Sequence, residues 1–150
     1  MLGNFPASAG KTRERVAAMS NGTVLVVDDE PLIRWSIGER LQAEGYGVLE
    51  AESGLSAIEQ FDKGVDLVLL DSGLPDVDGI AVLRHLTNRN PNARVILMTA
   101  DAGIETAVES MKLGAFPRVQ KPFLLDEIVA LVRRTCTEVA PQPTGKLRIA

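Results

Sequence analysis

The 150-residue chain has few aromatic side chains and a single cysteine. Aromatic residues make up 4% of the sequence, so the core has to be built from aliphatic side chains. Because Cys136 is alone, it cannot form an internal disulfide, and no neighbouring residues stand at metal-ligand spacing. We expect Cys136 to be a partly buried, small apolar residue in a reducing compartment.

Basic blocks and long apolar runs are also missing. The formal net charge is −4 and no run of more than two consecutive basic residues occurs, which argues against direct nucleic-acid binding. No apolar run approaches the roughly 20 residues of a membrane span, and none follows the basic N-terminal residues as in a signal peptide. We therefore expect a cytoplasmic protein without a membrane segment.

What the sequence does contain is an alternation of apolar runs and helical patterns. The runs TVLVVDD, DLVLLD and RVILMT predict strands buried on both faces, and 47–51 and 118–120 fill two further strand positions. Five apolar faces recur at helical spacing: Ile33, Ile37 and Leu41; Ala57, Ile58 and Phe61; Ile80, Leu83 and Leu86; Ile104, Ala107, Val108 and Met111; and Leu125, Ile128, Val129 and Val132. This fivefold strand–helix order predicts an α/β domain with a parallel sheet covered on both faces.

The two ends of the chain lack this pattern. Residues 1–21 contain Gly3, Pro6 and Gly10 and show little periodicity, which predicts a disordered tail, and Met19 is an alternative start to Met1. Residues 139–150 have the composition of a linker. The predicted domain therefore spans residues 22–138.

Five polar residues fall where predicted strands end. Asp28 and Asp29 end the first strand, Asp71 the third and Thr99 the fourth, and Lys121 follows the fifth. Any one of them could be an ordinary loop residue or helix cap. Because the carboxyl ends of parallel strands share one edge of a sheet, the set instead predicts a functional site there.

The residue types at this edge suit phosphoryl chemistry. Carboxylates 4 Å apart repel by about 4 kcal/mol at an effective dielectric constant near 20, so three together favour a bound divalent cation. Mg²⁺ prefers oxygen ligands of this kind. An aspartate can act as a nucleophile toward phosphorus, while Lys121 balances charge and the Thr99 hydroxyl contacts a phosphoryl oxygen.

Four motifs in order, VLVVDDEP, LLDSGLPDVDG, VILMTA and GAFPRVQKPF, resemble those of the response-regulator receiver domains of bacterial two-component systems. The resemblance runs from about Thr23 to Thr135. It implies a doubly wound (βα)5, flavodoxin-like fold with strand order 2-1-3-4-5. The stretch PLIRWSIGERL and the GAF segment further resemble the nitrogen-regulation subgroup, whose members usually precede an ATPase domain that activates an alternative sigma factor.

The resemblance assigns roles to individual residues. Asp71 would be the phosphoacceptor, and Mg²⁺ would be held by Asp28, Asp29, Asp71 and the backbone carbonyl of Gly73. Thr99 and Lys121 would contact the phosphoryl group.

Two positions near the fifth strand follow from the same resemblance. The Lys121–Pro122 bond would be cis. The switch position three residues before the lysine, usually Tyr or Phe, is here Arg118. Because an unpaired guanidinium is costly to bury, Arg118 should stay in solvent and the usual coupling to an output should change.

The implied partner is a sensor histidine kinase or a phosphotransfer protein. The chain would catalyse only its own phosphoryl transfer and dephosphorylation, and would not be an enzyme in the ordinary sense. Its output would be transcription regulation through a domain outside this chain, or it would act as a stand-alone receiver. The face of the predicted fourth helix and fifth strand could serve a homodimer.

Three other hypotheses fit the sequence less well. An aspartate-nucleophile phosphohydrolase requires a second carboxylate two residues after the nucleophile, where this chain has Gly73. A flavin- or dinucleotide-binding module requires a glycine pattern after the first strand, where this chain is acidic. A pseudo-receiver acting only as a scaffold tends to lose the acids or the lysine, both of which are present.

Overall fold

The computed structural model describes residues 21–100 and 117–137. Its elements alternate as the apolar runs predict: β1 (Thr23–Val27), α1 (Pro31–Ala43), β2 (Gly47–Ala51), α2 (Gly54–Phe61), β3 (Leu67–Asp71), α3 (Gly79–Arg89), β4 (Val95–Thr99), β5 (Arg118–Gln120) and α4 (Leu125–Thr137). The described residues do not include the helix predicted around residues 104–111, residues 1–20 of the predicted N-terminal tail, or the predicted linker 139–150.

All five strands are parallel, in the order β2-β1-β3-β4-β5. The order predicted from the family resemblance is therefore confirmed. β1 lies between β2 and β3, with Val24 opposite both Val48 and Leu67. The order of the sheet reverses beside β1, and in open α/β sheets ligands bind outside the carboxyl ends of the strands at such a point.

Successive residues of the strands fill two separate cores, because side chains alternate between the faces of a sheet. Leu25 and Val27 pack on the side covered by α2 and α3, and Val24 and Val26 pack on the side covered by α1 and α4. Both cores are mostly aliphatic, as the low aromatic content predicts. Cys136 is half-buried against the second core, as expected, and burial raises the pKa of its thiol.

The first helix begins and ends where the sequence predicts. Pro31 occupies its first turn, and the helix ends at Ala43, two residues before Gly45. Gly45 has a φ of +95°, in the left-handed region, and its N–H donates to the carbonyl of Gln42 at 3.0 Å. Such a glycine satisfies a helix end at little steric cost.

Candidate functional site

The polar residues predicted to share one edge of the sheet do so. Asp71 is the last residue of β3 and Thr99 the last of β4, while Asp28 and Lys121 directly follow β1 and β5. Asp71, Thr99 and Lys121 line a cleft of about 480 Å³. Its lining residues are Asp29, Glu30, Asp71, Ser72, Gly73, Asp78, Ile80, Thr99, Ala100 and Lys121.

Three carboxylates converge at this cleft. Asp28, Asp29 and Asp71 each offer an oxygen, and these oxygens lie within 4.8 Å of one another. Asp28 is fully buried and Asp71 is 5% exposed, whereas Asp29 is exposed. Water therefore screens the repulsion between Asp28 and Asp71 poorly.

Lys121 supplies one compensating charge. Its Nζ lies 2.8 Å from Asp28 Oδ2 and 3.4 Å from Asp71 Oδ2. Burial alone would lower the pKa of Lys121, but the hydrogen bond to Asp28 and the charges of both carboxylates outweigh it, so the pKa is raised. The lysine thus stays protonated, and one ammonium faces three carboxylates.

Asp71 is held in place from its own loop. Its Oδ1 accepts a hydrogen bond from the backbone N–H of Gly73 at 3.0 Å. Burial raises the pKa of Asp71 and the charge of Asp28 adds to this; the Gly73 N–H and Lys121 oppose the shift without cancelling it. The nearby positive charge is therefore too small to offset the cost of burying the Asp71 carboxylate.

The loop after β3 is packed directly under the candidate phosphoacceptor. Gly79 N–H donates to the carbonyl of Ser72 at 3.1 Å. A Cβ added at Gly79 would lie 2.8 Å from the carbonyl oxygen of Asp71 and would overlap the backbone of Ser72. The absence of a side chain at Gly79 is therefore what allows the loop to close.

Two contacts around the site were not predicted from the sequence. Asp76 accepts hydrogen bonds from the backbone N–H groups of Gly54 (2.8 Å) and Leu55 (3.1 Å), which ties the loop after β3 to the start of α2 and lowers the pKa of Asp76. Arg34 donates to the main-chain carbonyl of Asp28 at 2.8 Å. No local pattern signals either contact, because the partners lie on different elements of the chain.

Two features predicted near β5 are in place. Arg118 is the first residue of β5 and is exposed. The Lys121–Pro122 bond is cis.

In the described part of the chain, no helix combines the length and apolar character that crossing a bilayer requires.

Comparison with known proteins agrees with this architecture. The family model described as "Response regulator receiver domain" matches residues 24–133. The chain is 38% identical over 125 residues to the DNA-binding transcriptional regulator NtrC of Escherichia coli, which covers 83% of this chain and 27% of NtrC. It is 40% identical over 117 residues to sporulation initiation phosphotransferase F of Bacillus subtilis, covering 77% and 94% of the two chains. This chain therefore spans about a quarter of its NtrC relatives and nearly all of the sporulation protein.

Solved structures give the same result. A CheY-like receiver domain protein from Methanospirillum hungatei is 27% identical with a TM-score of 0.73, over 76% of this chain and 92% of that one. The response regulator TrrA from Thermotoga maritima, in complex with Mg²⁺-BeF, is 37% identical with a TM-score of 0.68. The match covers 75% of this chain and 97% of that one. With strand order, acidic cleft and motif order in agreement, the chain belongs to the response regulator receiver domain family.

Proposed function

We propose that Asp71 accepts a phosphoryl group from a histidine kinase or a phosphotransfer protein. The observation that carries this proposal is the placement of Asp71, almost fully buried at the end of β3 with a lysine ammonium 3.4 Å from Oδ2. An oxygen of Asp71 forms the bond to phosphorus while the P–N bond of a phosphohistidine breaks. The released imidazole takes up a proton.

The residues at the cleft fit a divalent cation. The ligand atoms are all hard oxygens, and Lys121 compensates only one of the three carboxylates. Asp28, Asp29, Asp71 and the backbone carbonyl of Gly73 would hold the ion. Mg²⁺, when bound, supplies positive charge that neutralises the transferring phosphoryl group. The Mg²⁺-BeF complex of the similar protein TrrA supports the same assignment.

The other groups at the cleft act on the phosphoryl oxygens. Lys121 would contact one oxygen through its ammonium group, and Thr99 would contact another through its hydroxyl. Thr99 is almost fully buried at the end of β4, next to the exposed Ala100. A small residue there leaves space for the group that Asp71 receives.

We further infer that phosphorylation controls an output through a change of conformation. Similarity to NtrC favours transcription regulation through a domain outside this chain, and similarity to the sporulation phosphotransferase favours a receiver that acts alone. The chain would catalyse only its own phosphorylation and dephosphorylation. A homodimer through the predicted fourth helix and β5, the absence of direct nucleic-acid binding and a cytoplasmic location stay predictions.

The test is incubation with Mg²⁺ and acetyl phosphate, followed by intact-mass measurement. One phosphoryl group, labile to base and to hydroxylamine, should be added. Asp71→Asn should abolish the addition, and Asp62→Asn, at the end of α2 in an ion pair with Arg89, should not. Modification of the Asp71→Asn variant, or label on a serine or threonine, would refute the assignment.

A further inference from the structure

One arginine of α1 has two partners outside its own helix. Arg34 Nη1 donates to the main-chain carbonyl of Asp28 at 2.8 Å, and its Nε donates to Glu50 Oε1 at 3.1 Å. The side chain is 15% exposed. Because the guanidinium is planar with donors in a fixed arrangement, two acceptors at different positions hold it in one orientation.

These bonds tie Asp28, the residue that opens the turn after β1, to strand β2. The N–H of Asp28 donates to the carbonyl of Ala51 at 3.1 Å, and Glu50 is the residue just before Ala51. The N–H and the carbonyl of Asp28 are thus tied to consecutive residues of β2, the first directly and the second through Arg34. The backbone N–H of Arg34 also donates to the carbonyl of Glu30 at 3.1 Å, which closes the turn into the helix.

We propose that Arg34 is a positioning residue for the divalent-cation site, fixing the main chain of Asp28 and so the places of the Asp28 and Asp29 carboxylates beside Asp71. This inference rests on the function proposed for the acidic cleft. Arg34 does not line that cleft among the described residues, so it acts through the backbone of Asp28 and not by contact with the ion. Partners outside the ligand shell that orient metal ligands commonly change metal affinity 10- to 100-fold when removed, as an order of magnitude.

Two physical effects of Arg34 on Mg²⁺ binding have opposite signs. A purely electrostatic arginine repels the ion, so its removal would tighten binding. A positioning arginine orders the ligands, so its removal would weaken binding. Because Glu50 lies 3.1 Å from the guanidinium and compensates its charge, positioning dominates and the affinity should fall. The sign of the change therefore separates the two roles.

The primary measurement is calorimetric titration of the whole chain with Mg²⁺ alone. Arg34→Met should raise the Mg²⁺ dissociation constant about tenfold. Arg34→Lys keeps the charge but lacks the fork that bridges two acceptors, so it should give an intermediate increase. Arg40→Met is the matched control: Arg40 lies on the same helix, pairs with Glu44 and Asp126, and belongs to no part of the cleft that is described. Its dissociation constant should stay within about twofold of the wild-type value.

Two further readouts distinguish positioning from a general loss of stability. The amide of Glu30 donates to Asp28 Oδ1 at 2.9 Å, and its hydrogen exchange should quicken in Arg34→Met but not in Arg40→Met. With acetyl phosphate, the half-saturating Mg²⁺ concentration should rise as the dissociation constant does, while the maximal rate at saturating Mg²⁺ stays near wild type.

Unchanged or tighter Mg²⁺ binding by Arg34→Met would overturn the proposal. If Arg34→Met does not fold, the same outcome in Arg34→Lys decides. A wild-type chain that binds no Mg²⁺ refutes the function proposed for the cleft itself, whatever Arg34 does.

Discussion

Neutralising Asp71 should stabilise the protein in the absence of a divalent cation. The oxygens of Asp28, Asp29 and Asp71 lie within 4.8 Å, where each repulsion reaches about 3.5 kcal/mol at an effective dielectric constant near 20. The attraction between Lys121 Nζ and Asp71 Oδ2, which are 3.4 Å apart, offsets about 5 kcal/mol of this repulsion on the same scale. The two repulsions exceed the attraction by about 2 kcal/mol; solvent screening of the exposed Asp29 reduces this margin, and the burial of the Asp71 carboxylate adds to it. The balance against the Asp71 charge is therefore about 1–2 kcal/mol.

Asp71→Asn removes this charge while its amide oxygen can still accept the Gly73 N–H. Urea unfolding with EDTA at neutral pH should therefore show the variant to be about 1–2 kcal/mol more stable than wild type. Adding Mg²⁺ at ten times its dissociation constant should stabilise the wild type by about 1.4 kcal/mol and close most of the gap. Asp62→Asn keeps every residue that lines the cleft, so its difference in stability from the wild type should be the same with and without Mg²⁺.

The pH dependence gives an independent check. Burial and the Asp28 charge raise the pKa of Asp71 in the folded state, so between the unfolded and the folded pKa the native state binds more protons. The stability that protonated Asp71 contributes to the folded state is fully present below the pKa of the unfolded chain, about 3.9. It is lost as the pH rises through the folded-state pKa. The advantage of Asp71→Asn should shrink on acidification. A variant less stable than wild type in EDTA at neutral pH would refute this reasoning.

Three further outcomes are expected. Asp29→Ala should weaken Mg²⁺ binding more than Asp28→Ala, because both carboxylate oxygens of Asp28 already accept hydrogen bonds; calorimetry giving the reverse order would contradict this. Gly79→Ala should cost about 1–3 kcal/mol in urea unfolding through overlap with the backbone that carries Asp71, and a neutral result would show that the loop can relax. Arg118→Tyr should enlarge the phosphorylation-dependent chemical-shift changes of the β5 amides, because a neutral ring can be buried where an unpaired guanidinium cannot. Large shifts at β5 in the wild type, with Arg118 becoming protected, would instead make the arginine itself the switch.

The sequence predicted the features of the fold and the site that depend on local residue patterns. The β-branched runs predicted the strands, and the acids and lysine at their ends predicted which residues meet, because the carboxyl ends of parallel strands share an edge. It did not predict which acid Lys121 contacts more closely, since that depends on side-chain rotamers. Arg34 and Glu50 are 16 positions apart on a helix and an edge strand, and nothing in either local pattern indicates that their side chains face each other.

The strand order implied by the family resemblance puts β5 at an edge of the sheet, and β5 pairs only with β4 in the described sheet. Pro117 directly precedes β5, and proline is tolerated in an edge strand. Arg118 is exposed there, as the cost of burying its charge predicts. The helix around residues 104–111 lies outside the described residues and stays a prediction.

The contact between Lys121 and Asp28 has a consequence for the order of folding. It joins positions 93 apart in the chain, among the longest separations between described hydrogen-bond partners. Contacts between residues this far apart form slowly, because the intervening chain must lose conformational entropy before the contact can stabilise it. The pairing of β1 with β2 and with β3 needs far shorter closures. The acidic edge can therefore form while its counter-charge is still absent, and a nascent chain that ends before Arg118 should pair four strands and yet be unable to accept a phosphoryl group.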